Sequence, residues 1–174
     1  MIKKGLVILG VFLGLASLVN IIQVNRQNTK IVVENYNKNE WVIFDDQTEI
    51  KVTDFQLLSQ EALKDLITAN DGDYKNYEIE DTEMRAVLLT IQKKSNGQSK
   101  NNIAQSVLVS GGFSNGINLQ ATSLINEEED SDTQKFLYTI TDNLVTKKHW
   151  DEMDKMKFYL AVNYTPVEKR IILN

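Results

Sequence analysis

From Gly5 to Asn25 the chain carries no charged side chain, while Lys3 and Lys4 precede it and Arg26 follows. A bilayer core of about 30 Å takes about 20 apolar residues as a helix, and this run has that length. Leu6, Val7, Ile8, Leu9, Val11, Phe12, Leu13, Leu15, Leu18, Val19, Ile21 and Ile22 make it apolar all round. With no polar stripe, the run does not read as the amphipathic helix of a soluble core. A membrane segment, read from residues 5–25, therefore constrains everything after it.

Two readings of the segment remain. One is an uncleaved signal anchor; the other is a cleaved signal peptide, with Lys3 and Lys4 as its basic region and a secreted product. The run is long for a signal peptide. The candidate cleavage triplet Leu15-Ala16-Ser17 lies inside it rather than after it. Both points favour the anchor. Lys3 and Lys4 then lie on the cytoplasmic side and the remainder outside the membrane. Gly10 and Gly14 have the spacing that lets two helices approach closely. Residues 1–26 are thus a signal-anchor segment, 27–30 a short tether and 31–174 one extracytoplasmic domain of a single-pass membrane protein.

Charge is uneven along the 174 residues. The first 33 carry four cations and no acid, so the distal domain is more acidic than the net −5 indicates. Nucleic acids bind through clustered Lys and Arg, so an acidic domain argues against nucleic-acid binding. With no cysteine there is no disulfide framework, thiolate metal site or cysteine nucleophile.

The distal domain reads as strands. Ile31 to Val33, Trp41 to Phe44 and Thr48 to Leu57 are the first three. In the third, Ile50 and Val52 alternate, then Phe55 and Leu57 take the opposite parity. One extra residue near Thr53-Asp54, a β-bulge, explains the switch. Ser59 to Ala69 reads as a helix capped by Ser59, with Leu58 and Leu63 as a hydrophobic staple. Met84 to Ile91 is apolar on both parities, as suits a central strand buried on two faces. Lys93 to Asn102 reads as a polar loop, and Ile103 to Val109 as a strand ending at Ser110-Gly111-Gly112. Ser114-Asn115-Gly116 is the strongest hairpin signal, with Ile117 to Thr122 as its second arm. Phe136 to Ile140 and Phe158 to Tyr164 alternate as strands. Thr146 to Asp154 reads as a helical connector with Trp150 and Met153 facing in. Pro166 breaks the chain before a closing strand at Arg170 to Leu173. Some eight or nine short strands at this spacing predict an all-β, antiparallel β-sandwich with one short inserted helix.

Three pieces carry a family resemblance. They are Asn39-Glu40-Trp41-Val42; Ile50-Lys51-Val52 running into Leu57 to Leu66; and Phe158-Tyr159-Leu160-Ala161-Val162 followed by Pro166 and Ile171. Through them the chain resembles uncharacterised Gram-positive proteins with an N-terminal membrane segment and an extracytoplasmic immunoglobulin-like, telokin-like domain. The resemblance implies an envelope β-sandwich of unknown function, in a family with some members associated with peptide transport or bacteriocin loci. It brings no catalytic motif and no cofactor.

Asp71, Asp73, Glu78, Glu80, Asp81 and Glu83 cluster in sequence. Oxygen ligands at such spacing suit Ca²⁺, with Asp71, Asp73 and Asp81 as candidates. The EF-hand pattern is not met, and a solvated acidic loop is the favoured reading; the same holds for Glu127 to Asp132. Tyr74 and Tyr77 are candidate binding aromatics, while both Trp41 and Trp150 read as core. Lys147, Lys148 and His149 form a candidate cationic surface patch. No Gly-x-Ser-x-Gly accompanies the single histidine, which argues against a hydrolase triad. These observations point to a non-enzymatic, membrane-anchored surface module that recognises an envelope protein or a cationic peptide. The alternatives are a structural subunit of a membrane transport or immunity complex and, third, an envelope hydrolase.

Overall fold

The computed structural model describes residues 31–95, 103–126, 131–163 and 167–174. The apolar segment 5–25 with its membrane candidates, the loop 96–102, the acidic run 127–130 and Tyr164 to Pro166 lie outside the described residues. Among the described residues no helix is long and apolar enough to cross a membrane. The chain divides into units 1–32 and 33–174; the following describes the second, with its first strand beginning at the join.

The unit is mostly β. The strands are β1 (Val32–Asn37), β2 (Val42–Ile43), β3 (Thr48–Leu58), β4 (Met84–Ser95), β5 (Val107–Ser110), β6 (Phe113–Gly116), β7 (Thr133–Thr141), β8 (Phe158–Asn163) and β9 (Val167–Ile172). Among the described residues three α-helices accompany them: α1 (Gln60–Ala69), α2 (Leu119–Leu124) and α3 (Lys147–Asp151). One sheet has the order β1-β9-β8-β5-β6, the other β2-β3-β4-β7. From β2 to β7 every neighbouring pair in the second sheet is antiparallel. So are β6-β5, β5-β8 and β8-β9 in the first.

The long strand β4 explains the layering. Its side chains alternate in direction, and both directions are apolar. Val87, Leu89 and Ile91 join a buried cluster with Leu108, Phe158, Leu160 and Ile171 of the other sheet. Phe55 on β3 and Phe158 on β8 meet across the gap with ring centroids 5.6 Å apart. Met84, Ala86 and Leu88 face the opposite way and join Leu63 and Ile67 of α1 with Ala121 of α2. The four-stranded sheet is therefore covered by the five-stranded sheet on one face and by helices on the other. A side chain as buried as Leu63, at 1% exposure, contributes roughly 2–3 kcal/mol.

The bulge is where the parity switch predicts it. Val52 faces Ile91 and Asp54 faces Thr90, so Thr53 is the extra residue. Its hydroxyl donates to the Thr90 carbonyl at 3.2 Å. The switch keeps Ile50, Val52, Phe55 and Leu57 all against the inter-sheet core. At the start of α1 the Ser59 hydroxyl accepts the Ala62 amide at 3.2 Å. Leu58 packs against the outer cluster that includes Leu63.

The second half of the chain corrects three expectations. Ile103 to Gln105 is a 3₁₀ turn, and the strand starts only at Val107. The hairpin turn is Gly111-Gly112, not Ser114 to Gly116: Ser110 pairs with Phe113 across a two-residue loop. Both glycines have positive φ, +47° and +101°, which the loop's two-residue length favours. Asn115 and Gly116 are strand residues. The expected second arm is instead helix α2, so the domain holds more than one inserted helix. Asn118 caps it, its side chain accepting the Ala121 amide at 3.0 Å.

Helix α2 also finishes the edge of the four-stranded sheet. The Asn118 amide donates to the Leu137 carbonyl at 2.8 Å, and the Thr122 hydroxyl accepts the Leu137 amide at 3.0 Å. Asn126 both donates to the Lys135 carbonyl and accepts its amide. Asn115 donates to the Thr139 carbonyl. Backbone groups of β7 that a neighbouring strand would take are thus taken mainly by side chains.

Two glycines test different physics. A Cβ on Gly72 would lie 2.5 Å from Leu124 Cδ2, 2.7 Å from Ile67 Cγ2 and 3.0 Å from the Ile67 carbonyl. Gly72→Ala should cost about 1–3 kcal/mol through overpacking between α1 and α2. A Cβ on Gly112 would meet nothing within 4 Å, so Gly112→Ala should cost about 1–2 kcal/mol through its backbone conformation alone. Urea unfolding measures both, and Gly112→Asn should recover part of the loss while Gly72→Asn should not.

Candidate functional site

The chain between α1 and β4 builds a concave surface. Helix α1 stops where the Asn70 and Gly72 amides both bond the Ile67 carbonyl. Asp71 reverses the backbone at φ +60°, a conformation Asp tolerates. Asp73 caps the 3₁₀ turn Tyr74–Asn76, its carboxylate accepting the Lys75 amide at 3.1 Å. The Glu78 amide bonds the Tyr74 carbonyl. Asp81, at φ +55°, turns the chain back into β4. Gln60 ties both ends of the segment together by accepting the Met84 amide at 3.3 Å.

Two adjoining grooves result. The larger, about 670 Å³, is lined by Gln60, Lys75, Glu78, Ile79, Glu80, Asp81, Thr82, Glu83 and Asp142. The smaller, about 530 Å³, shares Gln60, Lys75 and Glu78 and adds Lys64, Thr68, Asp71, Gly72, Asp73 and Tyr74. Asp142 enters from the 3₁₀ turn after β7, where its amide bonds the Glu83 carbonyl at 3.1 Å.

Of the calcium candidates, Asp71 and Asp73 line the smaller groove and Asp81 the larger. Among the described residues no three acidic or histidine side chains are placed to hold a metal ion. Tyr77 is half-buried against the outer apolar cluster. Tyr74 is buried in that cluster at 7% exposure, and its hydroxyl has no hydrogen-bond partner. Burial first, and the nearby Glu78 carboxylate second, push this phenol above its ordinary value.

The three residues of the cationic patch differ in exposure. Lys147 and Lys148 are exposed on α3, but His149 is half-buried. It lines a small cavity of about 120 Å³ with Gly111, Gly112, Phe113, Leu144, Val145 and Thr146. One residue further, Trp150 is core as expected. Its indole N–H donates to Glu83 Oε2 at 2.9 Å. Arg85 lies over its ring at 4.6 Å and donates to its carbonyl at 3.0 Å. Trp41 corrects the expectation that both tryptophans are core. It is half-buried, with Lys94 Nζ 3.8 Å and Lys51 Nζ 4.7 Å from its ring centroid.

The acidic run was visible in the sequence, but the participation of Gln60 and Asp142 was not. Each reaches the groove from another element. Only the pairing of β4 with β7, which sets Met84 opposite Thr141, brings Asp142 beside Glu83.

Tyr74 yields a test of stability. A buried hydroxyl without a partner costs free energy, so Tyr74→Phe should leave stability at pH 7 unchanged or raise it by about 1 kcal/mol. The folded phenol holds its proton more tightly than the unfolded chain does. Its contribution is therefore complete below the ordinary value of 10.0 and is lost as pH rises beyond it. Thermal melts across alkaline pH should show a shallower decline for Tyr74→Phe than for the native protein.

No protein-family model, curated protein or solved structure matches this chain.

Proposed function

We propose that the chain is a non-enzymatic, membrane-anchored binding module on the outer side of the cell membrane, presenting an immunoglobulin-like β-sandwich to an envelope protein or peptide. The groove between α1 and β4 is the observation that carries the binding role. It is concave and lined by carboxylates. The immunoglobulin-like reading is supported by the two sheets sharing one core and by the first strand lying beside the last. The anchored reading is supported by the charge-free run from Gly5 to Asn25 and by Lys3 and Lys4 before it.

A second reading, a structural subunit of a membrane complex, is favoured by a different surface. Val33 on β1 is 41% exposed and Ile43 on β2 57% exposed. Both β1 and β2 are edge strands, and exposed apolar edges invite pairing.

With a C-terminal tag on intact cells, externally added protease should remove the domain. A tag that survives until the cells are lysed overturns the topology. Should the complex-subunit reading hold, Val33→Lys with Ile43→Lys would abolish co-purification of the partner without lowering the melting temperature.

A further inference from the structure

Three glycines of the chain follow an Asn or Asp: Gly72 after Asp71, Gly97 after Asn96 and Gly116 after Asn115. In such a pair the glycine amide nitrogen can attack the side-chain carbonyl carbon of the residue before it, because glycine has no Cβ to obstruct the approach. A folded backbone decides whether that amide is free to do so. Asn96-Gly97 lies outside the described residues. The other two pairs are held in opposite ways.

The Gly72 amide is engaged. It donates to the Ile67 carbonyl at 2.9 Å and so helps to end α1. The Gly116 amide has no such place in the ladder. Ser110 and Phe113 flank the two-residue hairpin loop and exchange both backbone bonds. Bonded and non-bonded pairs then alternate, so Leu108 and Asn115 exchange bonds while Val107 and Gly116 do not. The Gly116 amide is therefore turned away from β5. It donates instead to Asn115 Oδ1 at 3.0 Å. The same carboxamide is fixed at its other end, where Nδ2 donates to the Thr139 carbonyl of β7. Nucleophile and electrophile are thus neighbours at the exposed end of an edge strand. A Cβ on Gly116 would meet nothing within 4 Å, so the surroundings leave room for the two to close on each other.

We propose that Asn115 is a self-modification site, where the Gly116 nitrogen cyclises on the Asn115 carboxamide and the resulting aspartate or isoaspartate opens the seam between β6 and β7. Hydroxide removes the Gly116 amide proton. The nitrogen forms a bond to Asn115 Cγ, and the Cγ–Nδ2 bond breaks, Nδ2 leaving as ammonia with a proton from water. Water then opens the five-membered succinimide at either carbonyl, giving aspartate or isoaspartate. One water is consumed, one ammonia is released, and nothing is oxidised or reduced. In both products the Thr139 carbonyl loses its donor, because a carboxylate only accepts. Aspartate also sets a negative charge against that carbonyl. Isoaspartate adds a carbon to the β6 main chain. The fold thereby carries a clock on one of the bonds that close the edge of β7.

The test incubates the full chain in phosphatidylcholine nanodiscs at mildly alkaline pH. Digestion and mass spectrometry then read the exchange of NH₂ for OH peptide by peptide, which separates Asn115 from Asn96. Conversion of Asn115 that accelerates with pH is expected. Gly116→Ala should slow it about tenfold and leave the melting temperature at or above the native value, since Gly116 is not among the positive-φ glycines and its surroundings are open. Asp71→Asn installs an Asn-Gly pair whose amide is engaged by Ile67, and the carboxamide placed there should persist. Asn115→Asp, which copies one product, should speed amide hydrogen exchange in β6 and along β7. An Asn115 that stays intact in the folded chain overturns the proposal. Equally fast conversion in the Asp71→Asn variant at its new pair also overturns it, because the engagement of the amide then decides nothing. Unchanged hydrogen exchange in Asn115→Asp overturns the opening of the seam.

Discussion

Two-sided burial of β4 is the constraint on which the rest of this domain depends. A strand apolar on both parities has to be covered twice. One face is covered by the other sheet and the other by α1 and α2. That requirement fixes α1 over the sheet and leaves the chain between α1 and β4 to return along the surface. The groove is made by that return. Its position follows from the core, while its chemistry follows from the polar residues that the return segment is free to carry.

The same logic separates what was legible in the sequence from what was not. Where a residue's partner is local or the pattern is periodic, the reading succeeded. The Thr53 bulge, the Ser59 cap, the two-faced β4 and the inward Trp150 and Met153 are all of this kind. Where two signals of one type competed, it failed. Asn115-Gly116 and Gly111-Gly112 are both turn-prone, and only strand pairing decides between them: β5 has β8 on its other side and needs β6 to begin at Phe113. The stretch from Ile117 to Thr122 alternates like a strand, but its polar residues bond the edge of β7 from a helix. Asn118 and Thr122 are one helical turn apart, which period-2 alternation cannot distinguish from two residues on one strand face.

The candidate site divides in the same way. Its acids were evident from the run between Asp71 and Glu83, yet run composition alone did not distinguish a scattered acidic loop from a groove. Gln60 and Asp142 make the difference, and both arrive through tertiary contacts. His149 shows the converse. Beside two lysines in sequence it reads as surface, but the short helix that buries Trp150 also turns the imidazole toward the hairpin glycines, with Gly111 so near that a Cβ there would lie 3.9 Å from its ring.

The edge of β7 carries a consequence for the chain before it is fully folded. Its outer backbone groups are satisfied by Asn115, Asn118, Thr122 and Asn126 rather than by another strand. Asn118 and Thr122 are in place only once the six-residue helix α2 has docked. Until then a nine-residue strand exposes a pairing template to any other chain nearby. Solubility during synthesis is thereby tied to the docking of one short helix, so a change that loosens α2 would promote self-association well before it unfolded the domain.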